Sequence, residues 1–346
     1  MLRGGRAVMP CEPFRCAGAP GVLLLAHRQR LAGRGWKHEV QAGFTARSGV
    51  SPPAGHQVSP RMGHGPWTAE GFAFVPRGNA RPAIPIWTRS CGSGPTALML
   101  HGWMHSGAVW SQVAGGLSDR YTVVAPDWPG FGKTPALPDG ERPSVDAFVE
   151  VLAGLLTTEA VPAPPAIIVA DSLAAIVVLR AGVGVRLPVS VLALSGCPYF
   201  GVSWLAVAVA RSGLLSQTLG LVRRLPISMS TAFFRLLAFK TVRHWRHSAG
   251  VIPEAARSAD PKTAQYLLAE LGTVEPVGSG FRHNAPRCLV VRGEYDRLAT
   301  AGAAAALARD LGADTYTIAG AAHTPMLESA AEFISVLRRL ELGDQR

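Results

Sequence analysis

Ser172, Asp296 and His323 supply a hydroxyl, a carboxylate and an imidazole, each placed where an apolar run gives way to polar or glycine residues. Such a set suits nucleophilic attack on a carbonyl, because a serine hydroxyl attacks at neutral pH only when a base removes its proton. The segment Ala170-Asp171-Ser172-Leu173-Ala174-Ala175 follows an apolar run and leads into a helical one at 176–181. A nucleophile on a tight strand-to-helix turn stands above a sheet and faces the helix N-terminus, provided the residues two before and two after it are small. Both are alanine here. A serine after a strand with no further support reads as an ordinary helix cap. The support comes from Gly293-Glu294-Tyr295-Asp296 after one β-type run and from Gly320-Ala321-Ala322-His323-Thr324-Pro325-Met326-Leu327-Glu328 after another.

Positioning residues so distant in sequence needs a rigid frame. From Phe72 onward, short apolar runs rich in β-formers alternate with longer helical patterns, the signature of a mostly parallel sheet covered on both faces. The spans 97–100, 121–125, 166–170, 189–194, 287–291 and 315–318 read as strands. Polar or glycine residues follow their ends, and in an open α/β sheet the ligand crevice lies outside the carboxyl ends of the strands. Between Tyr199 and about Gly280 the alternation stops, and a helical stretch rich in leucine, phenylalanine and arginine intervenes. The expected organisation is therefore an α/β core at 66–198 and 281–346 with a helical cap at 199–280, behind a leader at 1–65.

The chain order Ser172, Asp296, His323 resembles the α/β-hydrolase family. So do His101-Gly102-Trp103 after an early strand and Asp127-Trp128-Pro129-Gly130-Phe131-Gly132-Lys133-Thr134 after the next. The resemblance spans roughly residues 72–341 and is weakest across the cap. It implies a doubly wound, mostly parallel sheet and a catalytic triad. His323 would take the Ser172 proton and return it to the leaving group, while Asp296 would fix the imidazole tautomer and stabilise its cation. The backbone amides of Trp103 and Leu173 would form the oxyanion hole, each donor supplying about 2.7–4 kcal/mol. His101 would support the loop, and Met104, Trp128 and Met326 are candidates to line the substrate pocket. Alanine flanks at the serine depart from the family's usual glycines. Thr300-Ala301 stands where many members place a proline four residues after the acid, a feature reminiscent of acyl-transferring relatives.

Other assignments compete for these residues. Asp171 could be the nucleophile, as in dehalogenase-like relatives, but that register puts Leu173 at a position where the turn requires a small residue. Met104 also stands where the epoxide-hydrolase pattern has proline. Glu294 could replace Asp296, but it lies too close to the strand end and reads as a surface ion-pairing residue. Gly132-Lys133-Thr134 imitates the end of a phosphate-binding loop, yet the first glycine of that motif would fall on Asp127. No dinucleotide fingerprint is present.

The 346 residues carry a formal net charge of +11, and its distribution matters more than its sum. Before Met62 stand nine Arg and Lys residues against Glu12 and Glu39, which accounts for most of the excess. A nucleic-acid partner is therefore not expected. This leader is rich in Gly, Pro and Arg without an apolar period, and reads as disordered. Its hydrophobic run at 21–26 is too short for a membrane span, and Met62 is a candidate translation start. An intact-mass measurement of the native protein tests this; a mature N-terminus well upstream of Met62 contradicts it. Cys11, Cys16, Cys91, Cys197 and Cys288 form no disulfide framework and no zinc spacing, which points to a reducing, cytoplasmic compartment without metal or cofactor.

The expected reaction is hydrolysis of a carboxylic ester or thioester with an apolar acyl part through an acyl-enzyme on Ser172. The runner-up is acyl transfer or thioester cleavage on groups bound to coenzyme A or an acyl-carrier protein. Its motive is the run of seven basic and no acidic residues from Arg211 to Arg246. The same scaffold also hosts carbon–carbon hydrolases, and a silent binding protein is the reading from a different class.

Overall fold

In β3 (Thr96–Leu100), Leu98 and Leu100 enter one core cluster while Ala97 and Met99 enter another, all fully buried. Period-two alternation with both faces buried requires layers above and below the sheet. The computed structural model describes residues 65–78, 81–162, 164–183, 186–238, 242, 250–272, 281 and 286–341. It contains an eight-stranded sheet of order β1-β2-β4-β3-β5-β6-β7-β8. The strands are β1 (Ala69–Arg77), β2 (Arg81–Cys91), β3, β4 (Thr122–Pro126), β5 (Ile167–Asp171), β6 (Val191–Ser195), β7 (Arg287–Gly293) and β8 (Asp314–Ile318). β1–β2 and β2–β4 pair antiparallel and all other neighbours parallel.

All six anticipated strands are present, with ends shifted by no more than two residues. β1 and β2 were not anticipated. Pro82 and Pro85 argue against a strand in the sequence, because proline cannot donate to a ladder. The structure accommodates them in the part of β2 that pairs with β1 alone, since pairing with β4 is confined to residues 88–91.

The face holding Leu98 and Leu100 is covered by α2 (Val145–Leu155), capped by the Ser144 hydroxyl accepting from the Ala147 amide, by α3 (Leu173–Gly182), and by the helix Ala301–Leu311 that follows β7. The other face is covered by α1 (Ser111–Gly115) and α11 (Ala330–Glu341), with Trp110 and Phe333 in ring contact between them. Between β6 and β7 run the helices α4 (Trp204–Arg211), α5 (Leu214–Val222), α6 (Ile227–Ala238), α7 (Val251–Ser258) and α8 (Pro261–Leu271). α9 (Ala301–Leu311) follows β7, and the short α10 (Pro325–Glu328) precedes α11. The leader, with Cys11, Cys16 and Met62, lies outside the described residues. Cys91, Cys197 and Cys288 are free and buried.

The sheet order places β3 between β4 and β5. Successive connections leave this point in opposite directions, which opens a crevice at the strands' carboxyl ends. His101-Gly102 and Ser172 stand at that crevice.

Candidate active site

The elbow at Ser172 is set by β5 stopping one residue before α3 begins. Ser172 has φ 50° and ψ −111°, a strained backbone for a residue with a side chain, and its amide donates to the Ser195 carbonyl at 2.8 Å. Strain of this kind persists only where the surroundings fix it. Here they are tight: Ala170 and Ala174 are fully buried. Gly102, at the end of β3, approaches so closely that a Cβ on it would lie 2.7 Å from Asp171 Oδ2 and 3.0 Å from Ser172 Cβ. Alanine flanks therefore suffice where the family more often has glycine.

His323 reaches the serine from the loop after β8. Its Nε2 lies 3.1 Å from Ser172 Oγ, and its Nδ1 lies 2.9 Å from Asp296 Oδ2. With Nδ1–H donating to the carboxylate, Nε2 is left to accept the hydroxyl proton. Asp296 is held in turn: its Oδ1 accepts from the amides of Leu298 at 2.8 Å and Ala299 at 2.9 Å. Gly196, at φ +54°, leaves room beside the ring, since a Cβ there would lie 3.2 Å from His323 Cε1. The three separated residues thus meet in one hydrogen-bonded line.

Charge is distributed unequally among these groups. Burial disfavours charge on both His323 and Asp296, but their mutual attraction and hydrogen bond outweigh it. The imidazole is raised to about 9 and the carboxyl is lowered. Asp171, fully buried behind the serine, is pushed the other way, to about 7, by burial first and then by repulsion from Asp296. Neither of its oxygens has a well-formed hydrogen bond among the described residues. It does not line the cavity in front of Ser172.

That cavity has a volume of about 460 Å³ and is walled largely by apolar side chains, among them Val202, Leu215, Phe234, Ile252, Leu268 and Leu271, with Ser172 and His323 also in its wall. Trp103 and Met104 line it as well, and the Trp103 indole donates to the Ala264 carbonyl of α8 at 2.8 Å. Leu173 is buried as the first residue of α3, where backbone amides have no partner within the helix. Trp128 and Met326, expected at the pocket, are in the core instead. Trp128 stacks on Phe148 and donates its indole to the His101 carbonyl, and Met326 is fully enclosed beneath the sheet. Large apolar residues next to motif positions serve either purpose, and here they pack.

His101 acts as a brace. Its Nε2 accepts from the Trp128 amide at 2.9 Å and its Nδ1 faces the Gly102 carbonyl at 2.8 Å, with burial lowering its pKa to about 4. Glu294 accepts from the Gly320 amide at 2.9 Å, a turn contact where a surface ion pair was expected. Lys133, the phosphate-loop imitation, lies over the Trp87 ring. Two further residues at the site were not anticipated. His105 lines the cavity, and Glu328 accepts from the Ala322 and Thr324 amides and the Thr324 hydroxyl, bracing the loop that carries His323. Glu328 closes the His323 run in the sequence, but a buried carboxylate accepting backbone amides has no one-dimensional signature. Among the described residues no cluster of His, Cys, Asp and Glu could hold a metal ion.

A pimeloyl-[acyl-carrier protein] methyl ester esterase of Chromobacterium violaceum is 41% identical over 68 residues, covering 20% of this chain and 26% of that protein. The chain thus spans about a quarter of the length of that first curated relative. A 2-(acetamidomethylene)succinate hydrolase of Mesorhizobium japonicum is 29% identical over 235 residues, 65% of this chain and 80% of that protein. In fold, the chain is similar to a thermophilic esterase from Thermogutta terrifontis, with a TM-score of 0.65 at 18% identity over 78% of this chain and 97% of that one. The profile described as Alpha/beta hydrolase family matches residues 97–336, more than half of the sequence, and the chain belongs to that family.

Proposed function

We propose that the protein is a serine esterase that cleaves a carboxylic ester or thioester with an apolar acyl part. The observation that carries this reading is the Ser172–His323–Asp296 line, at 3.1 Å and 2.9 Å, opening directly on an apolar cavity. Ser172 Oγ attacks the carbonyl carbon as its proton passes to His323 Nε2. The developing oxyanion is met by the amides of Leu173 and Trp103. Collapse breaks the ester bond, and the alcohol or thiol leaves with the proton from His323. Water then attacks the acyl-enzyme, again deprotonated by His323, and the acid is released. The acyl part fits among Val202, Phe234 and Leu268, while the helices between β6 and β7 act as a lid that forms one side of the cavity.

A fluorophosphonate probe tests this. The folded protein is expected to be labelled at Ser172, with Ser172→Ala unlabelled and Asp171→Asn still labelled; a folded protein that stays unlabelled would overturn it. Acyl transfer or thioester cleavage on coenzyme A or an acyl-carrier protein is the second reading, favoured by the similarity to a pimeloyl-[acyl-carrier protein] methyl ester esterase and by exposed Arg223 and Arg224. Product analysis with acyl-thioester donors, with and without alcohol or amine acceptors, separates the two readings.

A further inference from the structure

The helices between β6 and β7 turn apolar side chains outward as well as inward. Trp204 is 79% exposed, Leu221 64%, Ile227 72% and Leu236 72%. Helical spacing gathers these residues into stripes. Leu214 and Leu221 are seven apart on α5, and Met229 and Leu236 are seven apart on α6, all of them exposed. On α4, Leu205 and Val209 are four apart; both are exposed, and both also line the cavity that holds Ser172. The cavity wall and the exposed apolar surface of α4 therefore share residues. Solitary exposed apolar residues are ordinary, but a set of this extent marks an interaction surface.

From α4 to α6 the chain itself carries only basic charge, while Asp139, Glu141 and Asp260 share a separate cavity with Ser216 and Gln217 of α5. No acidic residue occurs between Asp171 and Glu254, while Arg211, Arg223 and Arg224 are exposed on and beside the same helices. Apolar stripes bordered by arginines are the composition of an element that lies in a membrane interface, its arginines attracted by anionic headgroups. Among the described residues no single helix is long and apolar enough to cross a membrane, and α4 and α5 meet at a bend of 78°. An acidic carrier protein would complement the arginines but would leave the leucine, isoleucine and tryptophan side chains without a use.

We propose that the exposed apolar side chains of α4 and α5 dock onto an anionic lipid surface, with the cavity lined by Leu205 and Val209 turned toward the lipid. Docking stands on the surface itself; its use in presenting a lipid-borne ester to Ser172 rests on the esterase reading above. The test uses the full chain carrying Ser172→Ala, so that vesicle binding is read without hydrolysis. Phosphatidylcholine vesicles with and without phosphatidylglycerol are sedimented with the protein. Partitioning onto the anionic vesicles is expected to exceed that onto the neutral ones by at least about tenfold. Charge reversal in Arg223→Glu/Arg224→Glu is expected to erase that difference. Trp204→Ser/Leu221→Ser is expected to weaken binding to both vesicle types about tenfold, with unchanged circular dichroism. In the Ser172-containing protein the same serine pair should slow hydrolysis of a vesicle-embedded ester and leave a short soluble ester unaffected. Three outcomes overturn docking: no vesicle binding by the folded protein, a dimer in solution that the serine pair converts to monomer, or capture of an acidic acyl-carrier protein that blocks vesicle binding.

Discussion

The proton at His323 is controlled by its partner. A base must be neutral to accept from Ser172, and Asp296 holds the imidazole in its charged form up to about pH 9. The rate constant kcat/KM is therefore expected to rise with pH through the alkaline range. Asp296→Asn removes the charge that raises His323, so the rise should move toward the ordinary imidazole value while kcat falls by roughly 10⁴-fold. A pH–rate profile measured on both proteins checks this, and an unmoved limb in the variant contradicts it. Stability follows the same shifts with definite signs. The raised His323 contributes stability that is complete below its ordinary 6.5 and is lost as pH climbs through about 9. The lowered Asp296 contributes stability present above its ordinary 3.8 and lost as pH falls through its folded value. At this scale the sequence was most legible. Three polar residues at apolar run ends, in a definite order, pointed to the side chains that meet in the hydrogen-bonded line of the proposed relay. Residues whose function is packing are not so marked: Trp128 and Met326 look like pocket residues in one dimension and fill the core in three.

Loops hang the relay on the strands, and their own bracing decides its precision. Glu328 gathers two amides and a hydroxyl around the His323 loop. Glu328→Ala leaves those donors without their acceptor, and the imidazole loses its fixed approach to Ser172. We expect kcat to fall about 10- to 100-fold with little change in KM, while Glu328→Gln, which keeps an acceptor oxygen, recovers part of the loss. Equal effects on kcat and KM would point instead to a distorted cavity. Elements were legible where the local pattern agrees with the final role, as in the parallel strands. The prolines of β2 hid a strand, because their tolerance depends on which neighbour pairs with which half of it. The helical character of the segment between β6 and β7 was legible from its loss of alternation and its composition, but the outward stripes emerge only when exposure is known.

The whole molecule is drawn together at Asp127, at the end of β4. Its Oδ1 accepts from Arg89 of β2 and from the Gly107 amide, both at 2.6 Å, and its Oδ2 accepts from the Lys133 amide at 2.8 Å. Asp127 is fully buried and Arg89 nearly so. Removing Asp127 leaves the Gly107 and Lys133 amides without their acceptor and leaves the nearly buried Arg89 only the exposed Glu70 at 3.0 Å, so Asp127→Ala is expected to destabilise the fold by about 3–5 kcal/mol, read by denaturant unfolding. A loss below about 1 kcal/mol, as for an exposed pair, would contradict this account. In the sequence this aspartate served to reject a phosphate loop; its position at the junction of two strands and two loops follows from sheet order, which no local pattern encodes.

The backbone at Ser172 carries one more implication. Its dihedral angles belong to the region that glycine enters freely and other residues enter only under compulsion. Exchanging the serine for glycine would relax the turn and is expected to raise the melting temperature even as the proposed chemistry disappears. The fold would then be most robust in the form that can no longer react, and selection for heat resistance alone would drift toward an inert protein.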